Sequence, residues 1–277
     1  MRIEVTDSAE RFDERAGALL AARLEHNVLA TALLSVRAAP ADHPGALFAW
    51  VEVGGSVVAA AMRTPPRRML ATVMDEAIAG PLMARWLDAD PGLPGVVGPQ
   101  PASAALAGEW ERLTGRRATP AISEALHELE RVVAPARPAP GRLRTATVNE
   151  QDLLARWTIA FLQEAGVDDG GDVERVVESS IGRGRRFVWE DSEPVSMVAL
   201  NPAVAGVVRV GAVYTPPEHR NRGYASSAVA AASELALTNG ARRCALFTDL
   251  ANPTSNRIYA ALGYERRGDW QEFDFTL

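Results

Sequence analysis

The chain has no lysine: all 29 of its basic residues, among 277, are arginine. That bias reads as the codon usage of a GC-rich genome rather than as function. A single cysteine, Cys244, excludes an internal disulfide framework. Lying in an apolar strand, Arg243 to Phe247, its thiol reads as inert core. Histidine is scarce as well. His26, His43 and His127 are scattered and suggest no metal site, and His219 reads as a loop residue. An excess of positive charge is also missing. The formal charge of −6 argues against a nucleic-acid or anionic-membrane surface. No apolar run approaches the roughly 18–20 residues that span a bilayer, and the start, Met1-Arg-Ile-Glu-Val-Thr-Asp7, lacks a signal-peptide pattern. These absences predict a cytoplasmic protein with no membrane and no nucleic-acid partner. Neither Gly-x-Gly-x-x-Gly nor a glycine-rich loop ending in Gly-Lys-Ser/Thr occurs, which excludes the dinucleotide fingerprint and the P-loop.

Against those gaps stands one informative stretch. An apolar strand, Val207 to Tyr214, runs through Thr215, Pro216 and Pro217 into the turn Arg220-Asn-Arg-Gly-Tyr-Ala225. A helix opens from that turn. Ala225, Ala228, Val229, Ala232, Leu235 and Ala236 follow the i, i+3, i+4, i+7 spacing of an apolar face, and Asn239-Gly240 closes it. The first N–H groups of a helix have no intrahelical partner, and the macrodipole adds partial positive charge there. Gly223 lets the backbone approach a phosphate closely, with Arg220 and Arg222 supplying charge. Strand, glycine turn and helix start together predict a diphosphate cradle.

The hexapeptide Arg220–Ala225 resembles the Arg/Gln-x-x-Gly-x-Gly/Ala signature of the GNAT N-acetyltransferase superfamily. A second block, Phe247-Thr-Asp-Leu-Ala-Asn-Pro-Thr-Ser-Asn-Arg-Ile-Tyr-Ala-Ala-Leu-Gly-Tyr264, looks like the later strand–helix–strand segment of that family, in order and at a plausible distance. The resemblance covers roughly residues 142–277. It implies that acetyl-CoA binds as cosubstrate along Val213, Tyr214 and Thr215 and on the turn Arg220, Asn221, Arg222, Gly223, Tyr224, Ala225 and Ser226, with no metal. It also implies that the N–H of Val213 polarises the thioester carbonyl. The absence of lysine also leaves the chain no lysine side chain of its own to acetylate.

Length predicts about two domains at roughly 150 residues each. Ala134-Pro-Ala-Arg-Pro-Ala-Pro-Gly141 reads as a linker, because three prolines and a glycine favour extended chain over helix. The halves are self-similar. Phe48 to Ala61 and Phe187 to Leu200 each read as strand, turn and strand; Ser103 to Arg116 parallels Ser255 to Arg266; both halves open with a short strand. The expected fold class is α/β of the α+β kind: two GNAT-like units, each a mixed, mostly antiparallel sheet flanked by helices. Residues 1–133 form a degenerate N-terminal unit, 134–141 the linker and 142–277 the acetyl-CoA-binding unit. The first half departs at the turn after Met69 to Val73, where Asp75 and Glu76 put negative charge in place of Arg-x-x-Gly-x-Gly. In the second half the expected helices run over about 150–165, 171–182 and 253–262, with late strands near 264–267 and 271–276.

Acyl transfer to an amine needs a polarised carbonyl, a deprotonated amine and a protonated leaving thiolate. Asn252-Pro253 starts a helix as N-cap and first residue. Asn252, Asn256 and Tyr259 fall on one face of it. By resemblance Asn256 lies near CoA and Tyr259 near its sulfur, as general acid. Asn252 is either a cofactor contact or a cap. The base stays open among Asp249, Glu190, Asp191, Glu272 and a water chain; Asp249, at the end of a strand, is the first candidate. Arg183, Arg185 and Arg186 read as a solvated basic run. The sequence thus predicts an acetyl-CoA-dependent N-acetyltransferase acting by direct transfer on a primary amine, a small molecule as partner. The alternative is a non-catalytic acyl-CoA-binding or regulatory module. Acceptor, acyl length and oligomeric state stay open.

Overall fold

The computed structural model describes residues 1–166 and 172–276. The chain divides into two compact units, one of Met1–Leu126 with Gly268–Leu277, the other of His127–Arg267.

In the first unit, β1 (Arg2–Thr6) leads to α1 (Ala9–Ala22), whose N-cap Ser8 accepts from the Arg11 N–H at 3.2 Å, and to α2 (Asn27–Ala38). A hairpin follows, β2 (Leu47–Val53) and β3 (Ser56–Arg63). Its two-residue turn is Gly54-Gly55, both at positive φ, as the tight hairpin turn requires. Next come β4 (Met69–Ala71), α3 (Glu76–Ala89), β5 (Gly95–Pro99), α4 (Ala102–Thr114) and β6 (Ala118–Leu129). The strands order β1-β2-β3-β4-β5, then β12 (Glu265–Phe275), then β6. All of the ladders described in this unit are antiparallel except β4 with β5, which are joined by the α3 crossover. Trp86 and Trp110 fill the core, Trp110 stacking on Phe275 with centroids 4.1 Å apart.

The second unit repeats the plan. After β7 (Arg142–Thr145) come α5 (Gln151–Ala165), α6 (Val173–Gly182), β8 (Arg186–Asp191), β9 (Glu193–Leu200), β10 (Val207–Tyr214), α7 (Tyr224–Thr238), β11 (Arg243–Asp249) and α8 (Pro253–Ala261). The strands order β11-β10-β9-β8-β7, with the end of β6 beside β11, and only β10–β11 is parallel among the ladders described in this unit. Each half of the sequence therefore spells strand, two helices, three strands, helix, strand, helix, strand. The fold class is as expected, and the repeat extends through every element.

Some details differ from the expectation. The late pair of strands is one strand, β12, because Gly268 is tolerated within it. Of the helix expected over about 171–182, residue 171 lies outside the described residues, Asp172 is the N-cap and Val173–Gly182 is α6. Arg186 is not on a solvated surface. It opens β8 on the same face as Val188, and strand alternation turns it inward, 3% exposed.

Candidate functional site

The site of interest begins where β10 and β11 part. Their ladder pairs Val207–Arg209 with Arg243–Ala245, and no further pair joins them among the described residues, although β10 runs on to Tyr214 and β11 to Asp249. On its other side β10 pairs Gly211 with Ala199 and Tyr214 with Met197, three steps along β10 against two along β9. That one-residue bulge contains Ala212, at φ +47°, and Val213. The Val213 backbone thus lies outside both ladders. Ser196, fully buried, pins the strand end: its hydroxyl donates to the Tyr214 carbonyl at 3.0 Å and so accepts from Thr215 Oγ1 at 2.9 Å.

The turn that follows has two residues in the left-handed region, Asn221 at φ +62° and Gly223 at φ +81°. Gly223 is the N-cap of α7 and offers no side chain; the first helical bond in that turn is Ser227 N–H to the Gly223 carbonyl at 3.0 Å. The N–H groups of Tyr224, Ala225 and Ser226 lie ahead of that ladder. A Cβ at Gly223 would stand 3.4 Å from the Arg137 carbonyl oxygen and 3.8 Å from the Ala139 Cβ. This close-walled, donor-rich turn has the chemistry that a diphosphate needs.

The arginines divide their work. Arg220 faces inward on its own loop: its Nε donates to the Thr215 carbonyl at 2.8 Å, Nη2 forks onto Glu164 at 2.8 Å to both oxygens, and the guanidinium sits 5.6 Å over the Tyr214 ring. It holds the turn in shape. Arg222 is exposed and lies against the Tyr224 hydroxyl. Tyr224 donates to Asp191, a bond that raises the phenol pKa above its usual value. The sequence offers no local signal for Glu164, and it offers Asp191 as a base candidate, not as a partner of the loop; both meet the loop through the fold.

On α8 the predicted residues form one hydrogen-bonded knot. Asn252 Oδ1 accepts from the Ser255 N–H at 3.1 Å, so Asn252 is a cap. Asp249 Oδ1 accepts from the Ala251 N–H at 2.7 Å. Asn256 Nδ2 donates to the carbonyls of Asn252 (2.7 Å) and Asp249 (3.0 Å), and its Oδ1 accepts from Thr248. The side chains of Asn256 and Asp249 thus shape the β11–α8 turn. Tyr259 is different. It is buried, its ring edge-on to Tyr264 at 6.0 Å, and its hydroxyl has no hydrogen-bond partner among the described residues. Burial pushes its pKa up to about 12. The remaining base candidates are engaged: Glu190 with Arg144 at 2.7 Å, Asp191 with Tyr224, Glu272 with Arg68 at 2.9 Å. His219 packs edge-on to Tyr224 at 6.5 Å. Burial lifts the Cys244 thiol to about 12, which keeps it an inert core group.

Residues 153–264, which contain β10, the glycine turn, α7, β11 and α8, match the model of the Acetyltransferase (GNAT) family. The chain has the GNAT fold, in a tandem-like arrangement. It is similar over 98% of its length to a tandem GNAT protein from the clavulanic acid biosynthesis pathway (98% of that chain, TM-score 0.60, 18% identity). It is similar over 98% to a GCN5-related N-acetyltransferase from Sphaerobacter thermophilus (94% of that chain, TM-score 0.62, 17% identity). A GNAT-family acetyltransferase from Colwellia psychrerythraea covers all of it and is covered fully (TM-score 0.63, 11% identity). At such identities the likeness is one of fold. No curated protein matches the chain.

The GNAT family match falls in the second half alone, and the first half is a degenerate copy. At the turn that corresponds to Arg220–Ala225, the α3 N-terminus is filled from within: Asp75 accepts from the Ala77 N–H at 2.9 Å, with Glu76 in the first turn. The backbone N–H of Val73, just past β4, is also taken. It donates to Nε2 of buried His26 at 3.2 Å, while His26 Nδ1 donates to the Leu19 carbonyl at 2.9 Å. Among the described residues no group of three or more His, Cys, Asp or Glu side chains suits a metal ion, and no helix is long and apolar enough to cross a membrane.

Proposed function

We propose that the second half of the chain, from about residue 142, binds acetyl-CoA and serves as an N-acetyltransferase for the primary amine of a small-molecule acceptor, by direct transfer. The supporting observation is the parted pair β10–β11, with a bulge at Ala212–Val213, an uncapped α7 N-terminus at Gly223 and the unpartnered Tyr259 hydroxyl in one family-matched unit. When bound, the cosubstrate supplies an acyl group activated as a thioester. The N–H groups of Tyr224, Ala225 and Ser226 hold its diphosphate, the N–H of Val213 polarises the acyl carbonyl, and Tyr259 donates a proton to the leaving thiolate. A phenol whose pKa lies near 12 stays protonated at neutral pH, as an acid must. Arg220 and Asn256 act by fixing the two turns. The first half is a non-catalytic partner in this reading.

One observation favours the rival reading, an acyl-CoA-binding module without turnover. Asp249, Glu190, Asp191 and Glu272 all have partners. In the enzyme reading the amine then loses its proton to Asp249 through its second oxygen or to water. Calorimetric titration with acetyl-CoA, followed by a thiol-release screen against a panel of amines, separates the readings. Binding with amine-dependent CoA release is expected. Binding without release for any amine favours the module, and absence of binding refutes both.

A further inference from the structure

The proline-rich segment is docked rather than free. The Ala139 N–H donates to the Ser227 Oγ of α7 at 2.9 Å, and Trp189 Nε1 donates to the Pro140 carbonyl at 2.7 Å. Ala139 is buried in the core that holds Tyr224 and Val229. Gly141, at φ +101°, seals the far end, where a Cβ would collide with the Glu190 carbonyl. Those anchors fix the backbone of Arg137 beside the glycine turn, its carbonyl oxygen 3.4 Å from where a Gly223 Cβ would stand. Arg137 is exposed, and its guanidinium has no ion-pair or hydrogen-bond partner among the described residues. Of the motif's cations, Arg220 is paired with the Glu164 carboxylate, and Arg222 lies against the Tyr224 hydroxyl. Arg137 adds a positive charge at this turn from outside the motif.

We infer that Arg137 is a further phosphate-binding residue, contacting the diphosphate of the acyl-CoA donor from the docked segment. The inference rests on the acetyl-CoA reading of the site. A guanidinium offers a planar fork to phosphate oxygens, and a partly exposed charge-assisted contact is worth about a five-fold change in affinity. It would act on donor binding and not on the chemical step.

The test is calorimetry on the full chain, wild type against Arg137→Gln and Arg137→Lys, with acetyl-CoA and with its 3′-dephospho form, each at two salt concentrations. The expected result is about a five-fold weaker acetyl-CoA affinity for Arg137→Gln, a flatter salt dependence and the same loss for the 3′-dephospho form. Arg137→Lys recovers most of it, and kcat at saturating donor is unchanged. If the wild type binds and Arg137→Gln binds as tightly, this inference falls while the site reading stands. A loss that vanishes with the 3′-dephospho form overturns it too, by moving Arg137 to the 3′-phosphate. No binding by wild type removes the site reading and the inference together. Arg137 is exposed, so matching melting curves are expected across the three proteins.

Discussion

His26 offers a sharp stability experiment on the first unit. Its ring is 1% exposed and bridges two backbone groups, the Leu19 carbonyl and the Val73 N–H. Only the neutral ring with its proton on Nδ1 can do both. Burial lowers its pKa below the ordinary 6.5, the backbone bond to Leu19 opposing in part. The sign follows. Stability from this residue is fully present above pH 6.5, the unfolded value, and is lost as pH falls from there toward the folded pKa, because the unfolded chain takes the proton first. The slope is at most about 1.4 kcal/mol per pH unit, so at most about 2 kcal/mol by pH 5. Replacing His26 by Ala loses two hydrogen bonds at about 1 kcal/mol each and leaves a cavity, roughly 3 kcal/mol in all. Replacing it by Gln removes the titration. Urea unfolding of the intact chain at pH 7.5 and 5.0, followed through the first unit's tryptophans, reads both effects. The wild type should lose stability between the two pH values more than His26→Gln does. Equal losses would refute the assigned protonation state.

Four further outcomes are expected. Tyr259→Phe should lower kcat about 100-fold with acetyl-CoA affinity and melting temperature nearly intact, measured by thiol release, calorimetry and calorimetric melting; unchanged kcat removes the acid role. Gly223→Glu should abolish acetyl-CoA binding, since φ +81° disfavours any side chain and the carboxylate would repel the diphosphate; retained binding in a titration displaces the cradle. Glu150 caps its turn and binds Arg144, whose hydrogen bond lowers the carboxyl pKa to about 2. Its stabilisation, about 1–2 kcal/mol after solvent screening, is present above pH 4.5 and lost as pH falls toward 2; Glu150→Gln should flatten acid unfolding in that window. Arg186 is buried with no carboxylate partner among the described residues, and burial pulls its pKa down to about 10. Arg186→Met should raise thermal stability by roughly 1–3 kcal/mol in a melting experiment.

Local chemistry was readable in the chain; distant partners were not. Gly223 announced itself because a left-handed N-cap between strand and helix is a local demand, and Asn252-Pro253 because capping spans three residues. β5 passed unnoticed, since Gly95-Val-Val-Gly-Pro99 has two glycines and a proline and earns its strand from neighbours. Helical spacing put Asn256 and Tyr259 on one face. It carries no information on partners, so it did not show that Thr248 and two carbonyls consume the Asn256 amide. Arg220 was legible as a cation of the motif, while Glu164, 56 residues away, was not. The docking of Ala139 rests on Ser227, 88 residues on, and composition alone made that segment look like a tether.

The membership of β12 has a consequence for how this chain comes into being. Residues Gly268–Leu277 belong to the first unit, where Trp270–Asp274 pair with β5 and Phe275 stacks on Trp110. A ribosome delivers the second unit's sequence before it delivers those residues. The usual vectorial order, in which the domain made first folds first, therefore cannot complete the first unit. Until nearly everything after it has been synthesised, β5 lacks one neighbour and Trp110 its stacking partner.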